Sequence, residues 1–171
     1  MTAKQNVQVP MMLQGLKQVE EKSILSLEKV GLSHRVNHYP KQLSGGEQQR
    51  IAIARSIAHN PKILFLDEPT GDLDSRNTQS VMSLLQQLNR EGMTLIMVTH
   101  DVYLKNFAHR VIYMRDGKLE KIETIKEELR VGAMNELLKH SVSANKEEEK
   151  TSIRYPRDYP MLLSEQPMSP K

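Results

Sequence analysis

An α/β fold with a mainly parallel sheet is predicted by three observations in the middle of the chain. Ile63-Leu64-Phe65-Leu66 is an unbroken apolar run with no polar alternation, the pattern of a strand buried on both faces of a parallel sheet. Thr94-Leu95-Ile96-Met97-Val98-Thr99 is a second such run. Between them, Ser75 to Arg90 places Val81, Leu84, Leu85 and Leu88 on one helical face, and Gly92 ends the segment. Both apolar runs stop in polar chemistry: Asp67-Glu68 after the first, His100-Asp101 after the second. Ligands of open α/β sheets sit outside the carboxyl ends of the strands. The adjacent carboxylates are therefore candidates to hold a metal and activate water, and His100 is placed to reach a ligand. The plainer alternative is a capped strand whose acids are merely solvated.

The bulk properties bound the answer without deciding it. A length of 171 residues suits about one domain. With no Trp and only two Phe, the core is expected to be Leu, Ile, Val and Met. The absence of cysteine excludes a disulfide framework and any Cys-ligated metal. A net charge of +3, evenly spread, is too small to argue for nucleic acid. No apolar stretch approaches the ~20 residues that span a bilayer. Met1 to Pro10 lacks the apolar core of a secretory signal. A role at a membrane would need another chain to supply the membrane segment.

In chain order, residues 1–15 read as a loop around Pro10 leading into a helical turn. Leu16, Val19, Ser23, Ile24, Leu27 and Val30 recur at helical spacing, closed by Gly31. His34 and His38 lie four apart, but no third ligand accompanies them and Pro40 follows, so a solvated loop is the better reading. In Leu43-Ser44-Gly45-Gly46-Glu47-Gln48-Gln49-Arg50, Ser44 and Glu47 form a capping box, and Ile51 to Ile57 continue as a buried helix. Paired glycines at the first helical positions run against propensity. They would let a charged group approach bare N–H groups at the positive end of the helix dipole, with Ser44 donating its hydroxyl. Further on, Asp101 is expected to cap a short helix over 102–108. Arg110 to Met114 reads as a third strand and Arg115 to Lys118 as a hairpin turn. A terminal helix is expected over 123–140, and the polar stretch 141–171 reads as a disordered tail.

Together these residues resemble the ATP-binding cassette (ABC) family of transport ATPases. LSGGEQQR is similar to that family's signature motif, ILFLDEP to its Walker B, GDLD to its D-loop, and Thr99-His100-Asp101 to its switch histidine. The resemblance runs over roughly residues 1 to 122. It looks most like the ATPase subunits of lipoprotein-release and macrolide-export systems. It implies a partial P-loop NTPase (ABC-type) fold, with a helical signature part in 1–60 and a Walker B to switch-histidine core in 61–122. It also implies roles: Ser44, Gly45, Gly46 and Glu47 would face the γ-phosphate of an ATP held mainly by an opposing subunit. Asp67 would orient magnesium (Mg2+) through water, Glu68 would polarise the attacking water, and His100 would sense the γ-phosphate. Asp74 would couple the two sites across a dimer. The implied partners are a second ABC ATPase subunit, identical or not, and an integral membrane subunit, with the chain peripheral at the cytoplasmic face.

The pattern departs from the family in two places. Glu47 stands where many members have Gln, a common variant. More seriously, G-x-x-x-x-G-K-[ST] occurs nowhere, the only Gly-Lys pair being Gly117-Lys118. The phosphate-cradling loop and its lysine would precede Met1, leaving the strand 63–66 with an open edge and less cover. The leading expectation is the downstream portion of a transporter ATPase, catalytic in its carboxylates but inactive alone. A non-catalytic module lending its signature helix to a complete ATPase is the second. A soluble ABC-type ATPase of DNA maintenance is the third, opposed by the lack of coiled-coil heptads and of a basic stripe.

Overall fold

A computed structural model of the chain describes residues 1–137 and 139. The tail expected over 141–171 lies outside them. Two α-helices, α1 (Ala3–Leu13) and α2 (Val19–Lys29), open the chain. Short 3-10 turns at Ser33–Arg35 and Pro40–Gln42 lead into α3 (Gly45–Ile57). Strand β1 (Ile63–Asp67), helix α4 (Ser75–Arg90) and strand β2 (Thr94–Val98) form a crossover unit. A 3-10 helix over Val102–Phe107, capped by the Asp101 side chain, precedes a hairpin of β3 (Arg110–Arg115) and β4 (Lys118–Thr124). A last helix, α5, occupies 127–137.

The N-terminal segment is a helix rather than the expected loop. Pro10 argued for a break, because it removes one helical hydrogen bond. Burial outweighs that loss: Ala3, Val7 and Met11, spaced four apart, are all 0–1% exposed and join the core. Thr2 and Gln5 form a capping box at its start, a signal the sequence carried. The terminal helix also differs from expectation. It begins at 127, because β4 claims the backbone through Thr124 in its ladder with β3.

Helix α2 starts later than the periodicity suggested, and its expected face lies inward except at Ile24. Ile24 is 38% exposed, whereas Ser23 and Ser26 are buried. Their hydroxyls donate to the carbonyls of Glu20 (2.7 Å) and Lys22 (2.8 Å), which lets polar residues enter a core without an orphaned group. Both α2 and α4 close with a Schellman pattern. Leu32 N–H returns to Leu27 O and Met93 N–H to Leu88 O, with Gly31 and Gly92 in the left-handed conformation.

The sheet is parallel where the sequence reading put it, and incomplete. β1 and β2 pair in parallel with Ile63 opposite Thr94 and Asp67 opposite Val98. β3 and β4 pair antiparallel, as a separate two-stranded sheet. Expected burial of β1 on both faces is met on one. Leu64 and Leu66 lie in the core, but Ile63 is 49% and Phe65 72% exposed, because no layer packs on their face among the described residues. The covered side rests on Val81, Leu85 and Leu88 of α4 and Ile53, Ala54 and Ile57 of α3. Half-buried Arg50 ties the two helices together by donating from Nη1 to Ser80 Oγ at 2.8 Å.

Candidate functional site

Two groups of the expected site residues are assembled, and the turn 68–74 joins them. At the end of β1, Glu68 N–H donates to Val98 O (2.9 Å), extending the parallel ladder one step past the strand. That step sets Glu68 beside the segment leaving β2. Its Oε1 accepts from His100 N–H (3.0 Å) and lies 2.7 Å from His100 Nδ1, while Oε2 accepts from the Thr99 hydroxyl at 3.1 Å. The Thr99 Oγ1 in turn accepts from Asp101 N–H (3.1 Å), which fixes the turn around the histidine. Glu68 adopts a left-handed backbone, φ 42°, uncommon for a residue with a side chain of this size.

The electrostatics follow from the contact. The His100 imidazole holds the Glu68 carboxyl below its ordinary 4.5, assisted by Thr99. Glu68 in turn raises His100 above its ordinary 6.5. The imidazole is largely open to solvent and the carboxylate about a third so. Asp67 ends β1 as an exposed carboxylate beside them. A carboxylate kept ionised is a weak base but a good acceptor, suited to orienting a water or steadying a cation rather than removing a proton unaided.

The second group is the start of α3 with the start of α4. Ser44 Oγ accepts from Glu47 N–H (3.2 Å), and Ser44 N–H donates to Glu47 Oε2 (2.8 Å). The other oxygen, Oε1, accepts from Arg35 Nε at 2.8 Å. Burial raises the Glu47 pKa, but the Ser44 amide and the Arg35 guanidinium outweigh it, so the group ends below its ordinary value. Asp74 caps α4, its Oδ1 accepting from Asn77 N–H (2.8 Å) and its Oδ2 from Asn77 Nδ2 (3.0 Å). That same Asn77 side chain rests on Gly46: a Cβ there would stand 2.0 Å from Asn77 Oδ1. Ser44 and Gly45 are exposed, whereas Gly46 is buried beneath this contact. The second glycine therefore has a steric task, admitting α4, besides any role toward an anion.

Arg35, Asn77 and Thr99 carry contacts that the sequence reading did not assign. Thr99 had a signal, a hydroxyl one residue before His100. Arg35 had none, because its pairing with Glu47 depends on how the 3-10 turn folds back on α3. Of the His34 and His38 pair, His38 has its Nε2 3.2 Å from Arg35 Nη1. Among the described residues, no group of three or more His, Cys, Asp or Glu could hold a metal ion. Nor is any helix long and apolar enough to cross a membrane.

Several known proteins are similar to this chain in sequence or fold. The family profile described as "ABC transporter" matches residues 1–71. An uncharacterized ABC transporter ATP-binding protein, MJ1508 of Methanocaldococcus jannaschii, is 52% identical over 126 residues, 71% of this chain and 55% of that protein. A macrolide export ATP-binding/permease protein, MacB of Chlorobium luteolum, is 56% identical over 113 residues, 66% of this chain and 17% of its own length. A solved dimeric post-hydrolysis state of the ATP-binding cassette MJ0796 bound to ADP and Pi superposes with a TM-score of 0.64. It is 38% identical, covering 74% of this chain and 57% of that one. The chain spans 17% to 55% of the length of the curated relatives it matches. In sequence and in fold the chain is thus similar to the ATPase cassettes of ABC transporters.

Proposed function

We propose that this chain is the downstream portion of an ABC transporter ATPase, supplying catalytic and signature residues to a nucleotide whose main cradle lies outside residues 1–171. The observation that carries the reading is the Glu68 carboxylate, held by Thr99 and His100 where two parallel strands end together. In this reading residues 1–140 are one partial ATPase domain, divided into 1–60, 61–122 and 123–140.

The residues fit magnesium-ATP in kind. Magnesium keeps several waters and takes one or two carboxylates plus substrate phosphates, and the exposed Asp67 carboxylate is of that kind. Asp67 would hold the ion through water, and the ion would neutralise charge on the phosphates. Glu68 positions and polarises the attacking water. His100, whose Nδ1 is committed to Glu68, presents the rest of its ring to the γ-phosphate. Ser44, Gly45 and the capped start of α3 face the phosphate of an opposing subunit. Arg35 offsets the negative charge that Glu47 brings to that terminus. Asp74, joined to Gly46 through Asn77, links the two groups. Phosphoryl transfer needs mainly such positioning and charge stabilisation. The ATPase works with a dimer partner and a separate integral membrane subunit at a cytoplasmic membrane face.

Mixing the chain with a complete ABC ATPase tests the assignment. Glu68→Gln is expected to lower turnover of the mixture. If Glu68→Gln is silent and only Ser44 or Gly46 substitutions matter, the chain is instead a module that lends its signature helix.

A further inference from the structure

The turn before α3 carries a chain of side-chain contacts that ends on the start of that helix. His38 Nε2 stands 3.2 Å from Arg35 Nη1, Arg35 Nε donates to Glu47 Oε1 (2.8 Å), and Glu47 Oε2 accepts from Ser44 N–H (2.8 Å). A guanidinium has donors alone, so Nε2 is the acceptor of the first contact and the His38 imidazole is neutral, with its proton on Nδ1. The Glu47 side chain is 13% exposed, a carboxylate mostly withdrawn from water with Arg35 as its ion-pair partner. Backbone bonds seat the turn independently of these side chains: Ala3 N–H donates to His38 O (2.8 Å) and His38 N–H to Arg35 O (2.9 Å).

We propose that His38 is a positioning residue for the phosphate-facing start of α3, acting through Arg35 on Glu47. The inference deepens the function proposed above and rests on it for the identity of the anion. A single bond from Nε leaves a guanidinium free to turn, and a second, from Nη1 to His38, fixes its plane against the carboxylate. A mostly buried carboxylate whose cation drifts is left as an uncompensated charge. In the first turn of α3 that charge stands beside Ser44 and Gly45. There it repels an arriving phosphate and cancels part of what a helix N-terminus offers an anion. Arg35, held in place, keeps the terminus neutral. Arg50 feels the Glu47 charge too, but it donates to Ser80 instead. The arrangement answers the glutamate at position 47: a glutamine there has no charge to offset, and the hold on Arg35 would lose its purpose.

The test compares His38→Leu, which removes the acceptor, with His38→Gln, which keeps one, each alone and together with Glu47→Gln. In the isolated full chain, carbon NMR should show the Glu47 midpoint, held below 4.5, rising toward that value in His38→Leu and staying low in His38→Gln. In a mixture with a complete ABC ATPase, His38→Leu should raise the KM for magnesium-ATP by about threefold or more, with kcat changed less. His38→Gln should restore KM, and adding Glu47→Gln should make the two His38 variants alike. A Glu47 midpoint unmoved by His38→Leu would overturn the inference. So would a KM penalty that survives Glu47→Gln, since that marks a merely structural loss. Ser44→Ala separates this inference from the ATPase reading. If it raises KM while His38→Leu does not, the positioning role falls. If both are silent although the Glu47 midpoint moves, the ATPase reading falls and the held carboxylate stands.

Discussion

Adding one methyl group at Gly46 tests whether α3 and α4 are mechanically joined. A Cβ at that position would lie 2.0 Å from Asn77 Oδ1, 2.4 Å from Cγ and 2.9 Å from Cβ. Rotating the Asn77 side chain relieves the first two contacts but breaks its 3.0 Å hydrogen bond to Asp74. The third contact yields only if α3 and α4 move apart. Overpacking of this kind costs ~1–3 kcal/mol, and the lost hydrogen bond adds ~0.5–1.5 kcal/mol. Higher helix propensity of alanine returns at most ~1 kcal/mol. Gly46→Ala should therefore destabilise the chain by roughly 1–3 kcal/mol. Asn77→Gly removes all three opposing atoms, so the double variant should cost less than the sum of the singles by about 1–2 kcal/mol. Urea unfolding followed by far-UV circular dichroism measures all three. If the two changes add to within ~0.5 kcal/mol, the contact between Gly46 and Asn77 does not couple the helices.

Three further outcomes follow from the geometry. His100 should titrate above 6.5 by imidazole NMR, and Glu68→Gln should bring it back toward that value; an unmoved midpoint would show that the pair is not formed in solution. Because Glu68 is depressed below its ordinary 4.5 and His100 raised above its ordinary 6.5, the pair contributes fully between about pH 4.5 and 6.5. Its contribution fades as pH falls through the depressed Glu68 value, or rises through the elevated His100 one. The isolated chain should be marginally stable in urea. Leaving Ile63 and Phe65 open forgoes on the order of 3–6 kcal/mol against a whole-domain stability of ~5–15 kcal/mol, so a steep transition at high urea would contradict it. Calorimetry should find very weak binding of magnesium-ATP to the chain alone, and a micromolar affinity would refute the missing-cradle reading.

Much of the fold was readable because its signals were local. The apolar runs that became β1 and β2, the face of α4 and the capping box of α3 depend on residues within a few positions of one another. Pro10 hid α1, since the burial of Val7 and Met11 that overrides it is a tertiary effect. The thinner cover of β1 was expected only through the family resemblance, since an apolar run shows that a face needs covering and not whether a cover is present. At the site, Asp67, Glu68 and His100 stood out because polar residues ended apolar runs. The contacts of Arg35 with Glu47 and of Asn77 with Gly46 cross between elements, and no spacing rule reaches them.

The left-handed backbone at Glu68 has a consequence for engineering. A side chain in that conformation costs roughly 1–2 kcal/mol, which glycine would largely avoid. Glu68→Gly would thus relax the peptide while erasing the very group that reaches Thr99 and His100. The hydrogen bonds to Thr99 and His100 that would be lost, at ~0.5–1.5 kcal/mol each, offset that relief, so the strained backbone and the carboxylate that it presents are kept or given up together at a single residue.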